Sequence, residues 1–181
     1  MRRLVASTPR ASIGDAVGGT PMKNSTMLRL QLGEALEWLD NVVRDLSAEQ
    51  YSWQPEGSAN PISKLHAHTL SSADFWMNLM GLQKPMLWMG VSQKLGLPSN
   101  FIEVWQTDAP INLSDMQGYA KGLREASAAI DALDDAALER ELTAPVFGKR
   151  DVGFVLRLAA MQMAIHTGEI SAAKGLQGLP F

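Results

Sequence analysis

The sequence contains no cysteine among its 181 residues. This absence excludes a disulfide framework, a cysteine nucleophile, a zinc knuckle and an iron–sulfur cluster, since each of them needs thiols. Any metal must therefore bind to histidine, carboxylate or amide side chains. Histidine is scarce too, because only His66, His68 and His166 are present.

Strong charge and long apolar runs are missing as well. The formal net charge at pH 7 is -3, and only 19% of the residues are charged. A mildly acidic chain lacks the positive surface that general DNA or RNA binding requires, so we expect no nucleic-acid partner. No apolar stretch reaches the roughly 20 residues of a membrane helix, so we expect no membrane partner. The 46% hydrophobic content indicates a folded globular domain instead.

The first 23 residues differ in composition from the rest of the chain. They contain three arginines and several serines and threonines, and they show no helical stripe. An Arg- and Ser-rich leader that is poor in acidic residues is similar to an organelle transit peptide, but Gly18, Gly19 and Pro21 favour a disordered tail, or a real start at Met22 or Met27. We predict a disordered extension over residues 1–23, one domain over residues 24–181, and a cytoplasmic location.

The rest of the chain shows the periodicity of helices. Apolar residues recur every three or four positions in four stretches: residues 25–46, 61–81, 114–133 and 152–174. No alternating pattern of a strand stands out. We predict an all-α fold, an antiparallel four-helix bundle with a long crossover between helices 2 and 3.

The connections carry most of the proline and glycine. Residues 47–60 are predicted to be a connection, residues 82–112 a crossover with room for a short helix, and residues 145–148 a turn after a short helix at 134–142. Gly175 is predicted to end the last helix. The methionines in and before the crossover favour core packing or a dimer interface over a copper site.

The histidines are the main candidates for chemistry. His166 is predicted to lie at the centre of the apolar stripe of the last helix, with Gln162 one turn before it and Glu169 nearly one turn after it. An inward histidine beside an amide and a carboxylate indicates either a metal-ligand cluster or a buried hydrogen-bonded group. His66 and His68 point about 200° apart on the second helix, so only one of them can enter a site. Periodicity puts His66 nearer the apolar centre and His68 on its flank, and it favours His66.

Three segments together resemble the DinB/YfiT-like superfamily of four-helix-bundle proteins. The first is Ser-Trp-Gln-Pro at 52–55 with Asn-Pro-Ile at 60–62, followed six positions later by His68. The second is Asp74 with Trp76. The third is His-Thr-Gly-Glu-Ile at 166–170, which resembles the family's closing H-x-x-x-H-x-G-(Q/E)-I. The resemblance spans about residues 26–175.

The resemblance implies a divalent-metal site. Members of the superfamily commonly bind a metal through one histidine of the second helix and two of the last, positions that correspond to His68, Gln162 and His166. It therefore favours His68 where the periodicity favours His66. Gln162 departs from the pattern, and an amide oxygen is a poorer donor than imidazole for zinc or nickel. Glu169 is a candidate third ligand or catalytic base.

Two functions follow from these residues. The resemblance implies a metal-dependent enzyme that acts on a small molecule through a metal-activated thiol or water, as a thiol-dependent transferase or a hydrolase. Its cofactors would be zinc, nickel or iron and a low-molecular-weight thiol. The alternative is a metal-free, non-catalytic bundle with a stress-associated binding or structural role, which Gln162 and the apolar crossover favour. Both functions imply a homodimer.

Overall fold

The computed structural model describes residues 22–57 and 59–180, and these residues are mainly helical. In chain order the elements are α1 (Asn24–Val43), α2 (Ala48–Ser52), α3 (Ile62–Asp74), a π-helical segment (Phe75–Gly81), α4 (Trp88–Leu95), a 3-10 segment (Phe101–Gln106), α5 (Leu113–Ser127), a second 3-10 segment (Ala128–Ala132), α6 (Asp135–Glu139), β1 (Glu141–Ala144), β2 (Gly148–Asp151) and α7 (Val152–Leu176). The predicted extension over residues 1–23 lies outside the described residues, apart from the exposed Met22 and Lys23. No helix in the described ranges is both long and apolar enough to cross a membrane.

The four predicted helices are present, with shifted ends. α1 ends at Val43 rather than Leu46, and Lys23 stands at its N-cap position without a side-chain cap. α7 continues through the predicted stop at Gly175 to Leu176, and the chain turns at Gly178, where φ is +70°. Positive φ favours glycine because it has no Cβ, so the later of the two glycines ends the helix.

Residues 47–60 connect α1 to α3, as predicted, and they contain the short helix α2, which the sequence analysis did not predict. Ser47 begins this helix with a capping box: its side chain accepts a hydrogen bond from the Gln50 backbone N–H, and the Gln50 side chain accepts one from the Ser47 backbone N–H. The two residues satisfy each other's free backbone donors, which stabilises even a short helix.

The absence of strands was a wrong expectation. The predicted turn at 145–148 is the tip of the antiparallel hairpin β1–β2, in which Ala144 pairs with Gly148. Each strand has only four residues, most of them exposed, so the hairpin leaves little hydrophobic alternation in the sequence. Phe147 packs its ring against Trp76 and Phe154, and these contacts attach the hairpin to the helices.

Two pairs of neighbouring helices are antiparallel, as predicted. Near the two ends of α1, salt bridges connect it to α5 and the 3-10 segment that follows: Asp40–Arg124 at 2.7 Å and Arg29–Asp131 at 2.6 Å. α3 and the π-helical segment run against α7, with His68 beside His166 at one end and Gly81 beside Leu156 at the other.

Two other pairs are parallel, so the predicted antiparallel direction applies to two of the four neighbouring pairs. α1 and α7 run the same way, since Asn24 and Gly153 line one cavity while Lys174 Nζ donates to the Val42 carbonyl at 3.0 Å. α3 and α5 also run the same way, because α3 is antiparallel to α7, α5 is antiparallel to α1, and α1 and α7 are parallel. The physical reason is the crossover, which returns the chain to the end of α3 at which that helix began.

The crossover packs into the core rather than over its surface. Trp88 is completely buried, and its indole N–H donates to the Pro98 carbonyl at 3.1 Å. Met77, before the crossover, is buried too, whereas Met89 is half exposed. The apolar residues of this region therefore serve mainly as core.

Candidate functional site

His68 and His166 lie beside each other between α3 and α7. The centroids of their rings are 5.2 Å apart, and the ring planes are nearly perpendicular at 85°. The antiparallel packing of the two helices produces this contact between residues that are almost one hundred positions apart in the chain. The structure thus joins two of the predicted site residues.

Aromatic rings from the crossover cover His68. The ring of Trp105 lies 4.3 Å from the imidazole, centroid to centroid, and that of Phe101 lies 6.0 Å away. Both belong to the 3-10 segment, which is attached to α3 by a hydrogen bond from Lys64 Nζ to the Trp105 carbonyl at 3.1 Å. His68 therefore packs against an apolar wall.

Burial keeps the His68 imidazole neutral. The pKa of His68 is lowered to about 4, mainly because burial penalises the charged ring and secondly because His166 is close; a Phe101 backbone group and the Glu169 carboxylate act in the opposite direction. Its Nδ1 atom is buried and has no hydrogen-bond partner among the described residues. A neutral imidazole with a free buried nitrogen is suited to metal ligation.

His166 is oriented by Glu169. Its Nδ1 atom lies 2.7 Å from Glu169 Oε2. Because a carboxylate can only accept, Nδ1 carries the proton and Nε2 is the nitrogen left for another partner. A carboxylate on the far nitrogen is the common arrangement around metal-bound histidines. Glu169 thus uses its Oε2 atom to orient the His166 ring.

The predicted position of His166 at the centre of the apolar stripe was wrong. Met163 and Ile170, one turn before and one turn after it, point into the core with no exposed surface, whereas the His166 side chain retains 14% exposure. Gln162, one turn earlier, is also partly buried. The histidine lies at the edge of the stripe, where it meets α3.

His66 occupies a different environment from the pair. It is completely buried, and its Nδ1 atom is hydrogen bonded to the Tyr51 hydroxyl at 2.9 Å. Burial lowers the pKa of His66 to about 3, and its Nε2 atom has no partner within the described part of the chain. The periodicity located the more buried histidine correctly, but that histidine does not meet His166.

The donors present fit a metal only in part. Across residues 22–57 and 59–180 there is no group of three or more histidine or carboxylate side chains that could hold a metal ion. His68 and His166 supply two imidazoles, and Gln162, one turn before His166, carries the one amide side chain of α7. Gln162 therefore stands where the resemblance leads us to expect a third histidine, and the site has two imidazoles instead of three.

Asp74 has a structural role that the sequence did not reveal. Its carboxylate is completely buried and accepts three hydrogen bonds of 2.7 Å, from the Asn78 side chain, the Tyr119 hydroxyl and the Trp88 backbone N–H. Burial raises the pKa of Asp74, and these hydrogen bonds partly offset the rise. The residue connects the π-helical segment to α4 and α5, and so it holds the crossover in place.

The comparisons with known proteins agree with this fold. A family model described as the DinB superfamily matches residues 31–170. The crystal structure of the conserved protein of locus from Enterococcus faecalis is similar, with a TM-score of 0.73 and 14% sequence identity over 86% of this chain and 98% of that one. At this identity the similarity shows the fold alone. No curated protein matches the chain.

Proposed function

The chain belongs to the DinB superfamily, and from that premise we propose that it binds a divalent metal through His68 and His166 and acts on a small molecule. The observation that carries the proposal is the contact between these two imidazoles, with the buried Nδ1 of His68 left without a hydrogen-bond partner. Buried polar atoms nearly always have partners, so a free one beside a second imidazole supports a missing ligand.

Each residue around the pair has a separate role in the proposal. His68 and His166 are the imidazole donors, and the Gln162 carboxamide oxygen is the third donor. Glu169 holds the Nδ1 proton of His166, which leaves Nε2 free. Trp105 and Phe101 exclude water from one side of His68. Zinc, nickel or iron at such a site would lower the pKa of a bound water or thiol, which suits a hydrolase or a thiol-dependent transferase.

The Gln162 amide makes the proposed site a weak one. Imidazole binds zinc and nickel better than an amide oxygen does, so we expect lower affinity than a three-histidine site would have. A Gln162→His variant should strengthen binding, because it places a third imidazole one turn before His166 on the same side of α7.

Metal content of the full chain, purified without a histidine tag, tests this function. We expect bound zinc or nickel after dialysis against the metal, loss of it in His68→Gln, and tighter binding in Gln162→His. The matched control is Gln117→His, which adds a histidine at an exposed position on α5 and should not change binding at the pair. Equal metal content in the wild type and His68→Gln would refute the site.

The second candidate is a metal-free, non-catalytic homodimer. A specific observation favours it: the face formed by α1 and α7 exposes several large apolar side chains, among them Trp38 with 65% exposure. The same metal measurement separates the candidates. Metal that binds only to Gln162→His would favour the second candidate, since the natural chain would then lack a sufficient ligand set.

We also infer that the four long helices form a four-helix bundle. This arrangement is supported by the packing of each of α1, α3, α5 and α7 against two of the others. The cytoplasmic location stays a prediction from the sequence.

A further inference from the structure

The imidazole of His68 is enclosed by its neighbours, although a metal or a substrate would have to reach it. Its Nδ1 atom is buried, and the rings of His166 and Trp105 pack against it with centroid distances of 5.2 and 4.3 Å. Metal ligation at this nitrogen therefore requires some part of the surrounding structure to move.

The neighbours of His68 belong to elements of very different stability. His166 lies on α7, a helix of 25 residues that packs along the core, whereas Trp105 lies on a 3-10 segment of only six residues. The hydrogen bonds of a 3-10 helix have poorer geometry than those of an α-helix, so such a segment is easier to deform. The Trp105 side chain is also only half-buried. It is therefore the neighbour that can move without opening the core.

One side chain of α3 fastens Trp105 in its position over the imidazole. Lys64 lies one turn before His68, on the same side of the helix, and its Nζ atom donates to the Trp105 carbonyl at 3.1 Å. A hydrogen bond from a charged donor is stronger than one between neutral groups. Within residues 22–57 and 59–180 the Lys64 ammonium has no carboxylate partner, so this carbonyl is what holds it.

We propose that Trp105 is a gate over His68 and that Lys64 is the positioning residue that keeps the gate closed. In the closed state the indole covers the imidazole. When the hydrogen bond from Lys64 breaks, Trp105 turns away about the completely buried Val104 and opens a path to His68. The function of the gate rests on the proposed metal site, but its movement depends on these side chains alone and is tested without metal.

The chain around the 3-10 segment permits this movement. Before the segment, the Pro98 carbonyl is held by the buried Trp88, and after it the chain is fixed again at the buried Ile111. Residues 107–112 form neither helix nor strand. Irregular segments with few backbone hydrogen bonds open at a low free-energy cost. Opening the gate therefore requires no change in a long helix.

Phe101 is the fixed part of the apolar wall beside His68. Its ring packs against Phe75 at 5.3 Å between centroids as well as against His68 at 6.0 Å, so it is held from two elements. When the gate is open, a ligand meets this apolar ring and the two imidazoles. When the gate closes again, it excludes water from the site, which is the common role of mobile segments over active sites.

Modification of the full chain with diethyl pyrocarbonate, mapped by mass spectrometry to each histidine, tests the gate. The reagent acylates neutral imidazoles that it can reach. His68 should react slowly in the wild type and roughly fivefold faster or more in Lys64→Met, because loss of the hydrogen bond raises the open population. Methionine keeps the length and the helix preference of lysine but cannot donate.

His66 is the internal reference for this measurement. It is completely buried and bonded to Tyr51, away from the gate, so only unfolding exposes it, and its rate should be the same in Lys64→Met as in the wild type. Lys64→Arg keeps a charged donor and should keep the His68 rate low. The matched control is Lys121→Met, which changes an exposed lysine on α5 and should leave both rates unchanged.

A double variant shows whether Lys64 acts through the Trp105 ring. Trp105→Ala removes the ring, so His68 should react fast, and adding Lys64→Met should bring no further increase. An equal His68 rate in the wild type and Lys64→Met would overturn the gate. So would a parallel rise at His66, which indicates general unfolding, or a further rise in the double variant.

The gate and the metal site fail in different ways. A chain that binds no zinc while Lys64→Met speeds the modification of His68 would refute the metal site alone. Zinc binding together with an unchanged His68 rate would refute the gate alone.

Discussion

Among the buried polar groups, Asp74 is the one whose substitution we expect to lower the free energy of unfolding most. Its carboxylate accepts three hydrogen bonds, and a bond to a charged group contributes about 1.5–3 kcal/mol. Asp74→Asn keeps the size of the side chain but turns an amide N–H₂ towards donors. Removing the buried charge recovers part of its desolvation cost. We therefore expect the free energy of unfolding to fall by about 2–4 kcal/mol, a large part of the 5–15 kcal/mol typical of a domain.

Urea unfolding followed by tryptophan fluorescence measures this loss. The control is Asp45→Asn, which alters an exposed carboxylate and should change stability by less than about 0.5 kcal/mol. Tyr119→Phe removes one donor alone, and the double variant should cost less than the sum of the single ones by about 1 kcal/mol, because the same hydrogen bond is lost in both. An Asp74→Asn variant as stable as Asp45→Asn would contradict the role of the carboxylate as an anchor.

Three further predictions concern backbone strain, close packing and pH. Val146 has φ +67° and 99% exposure, so Val146→Asn should raise stability by about 0.5–1 kcal/mol in thermal unfolding, whereas Val146→Thr, which stays β-branched, should not. A Cβ on Gly81 would lie 2.8 Å from Leu156 Cδ2, so Gly81→Ala should lower the free energy of unfolding by about 1–3 kcal/mol. Gly33→Ala is the control and should not lower it, because a Cβ there has nothing within 4 Å. The pKa of His66 is lowered to about 3, so the unfolded state binds the proton first and stability should fall as the pH drops below about 6.5. An NMR titration that shows His66 charging near pH 6.5 would contradict its burial.

The long helices could be predicted because their stripes are strong. The buried face of α1 follows a spacing of three and four residues through Leu28, Leu32, Leu36, Leu39 and Val43. The elements that were missed carry weaker or different signals. α2 depends on a capping box rather than on a stripe, and the hairpin is short and exposed. The two parallel helix pairs were missed because periodicity describes one helix at a time.

The candidate site shows the same limit. Periodicity ranked His66 above His68 by burial, and the structure agrees on burial. Periodicity could not indicate which histidine faces α7, because that depends on how two helices that are distant in the sequence pack together. The resemblance indicated His68 through a pattern that already reflects this packing. Phe101 and Trp105, which cover His68, lie in a crossover whose path no local pattern in the sequence determines.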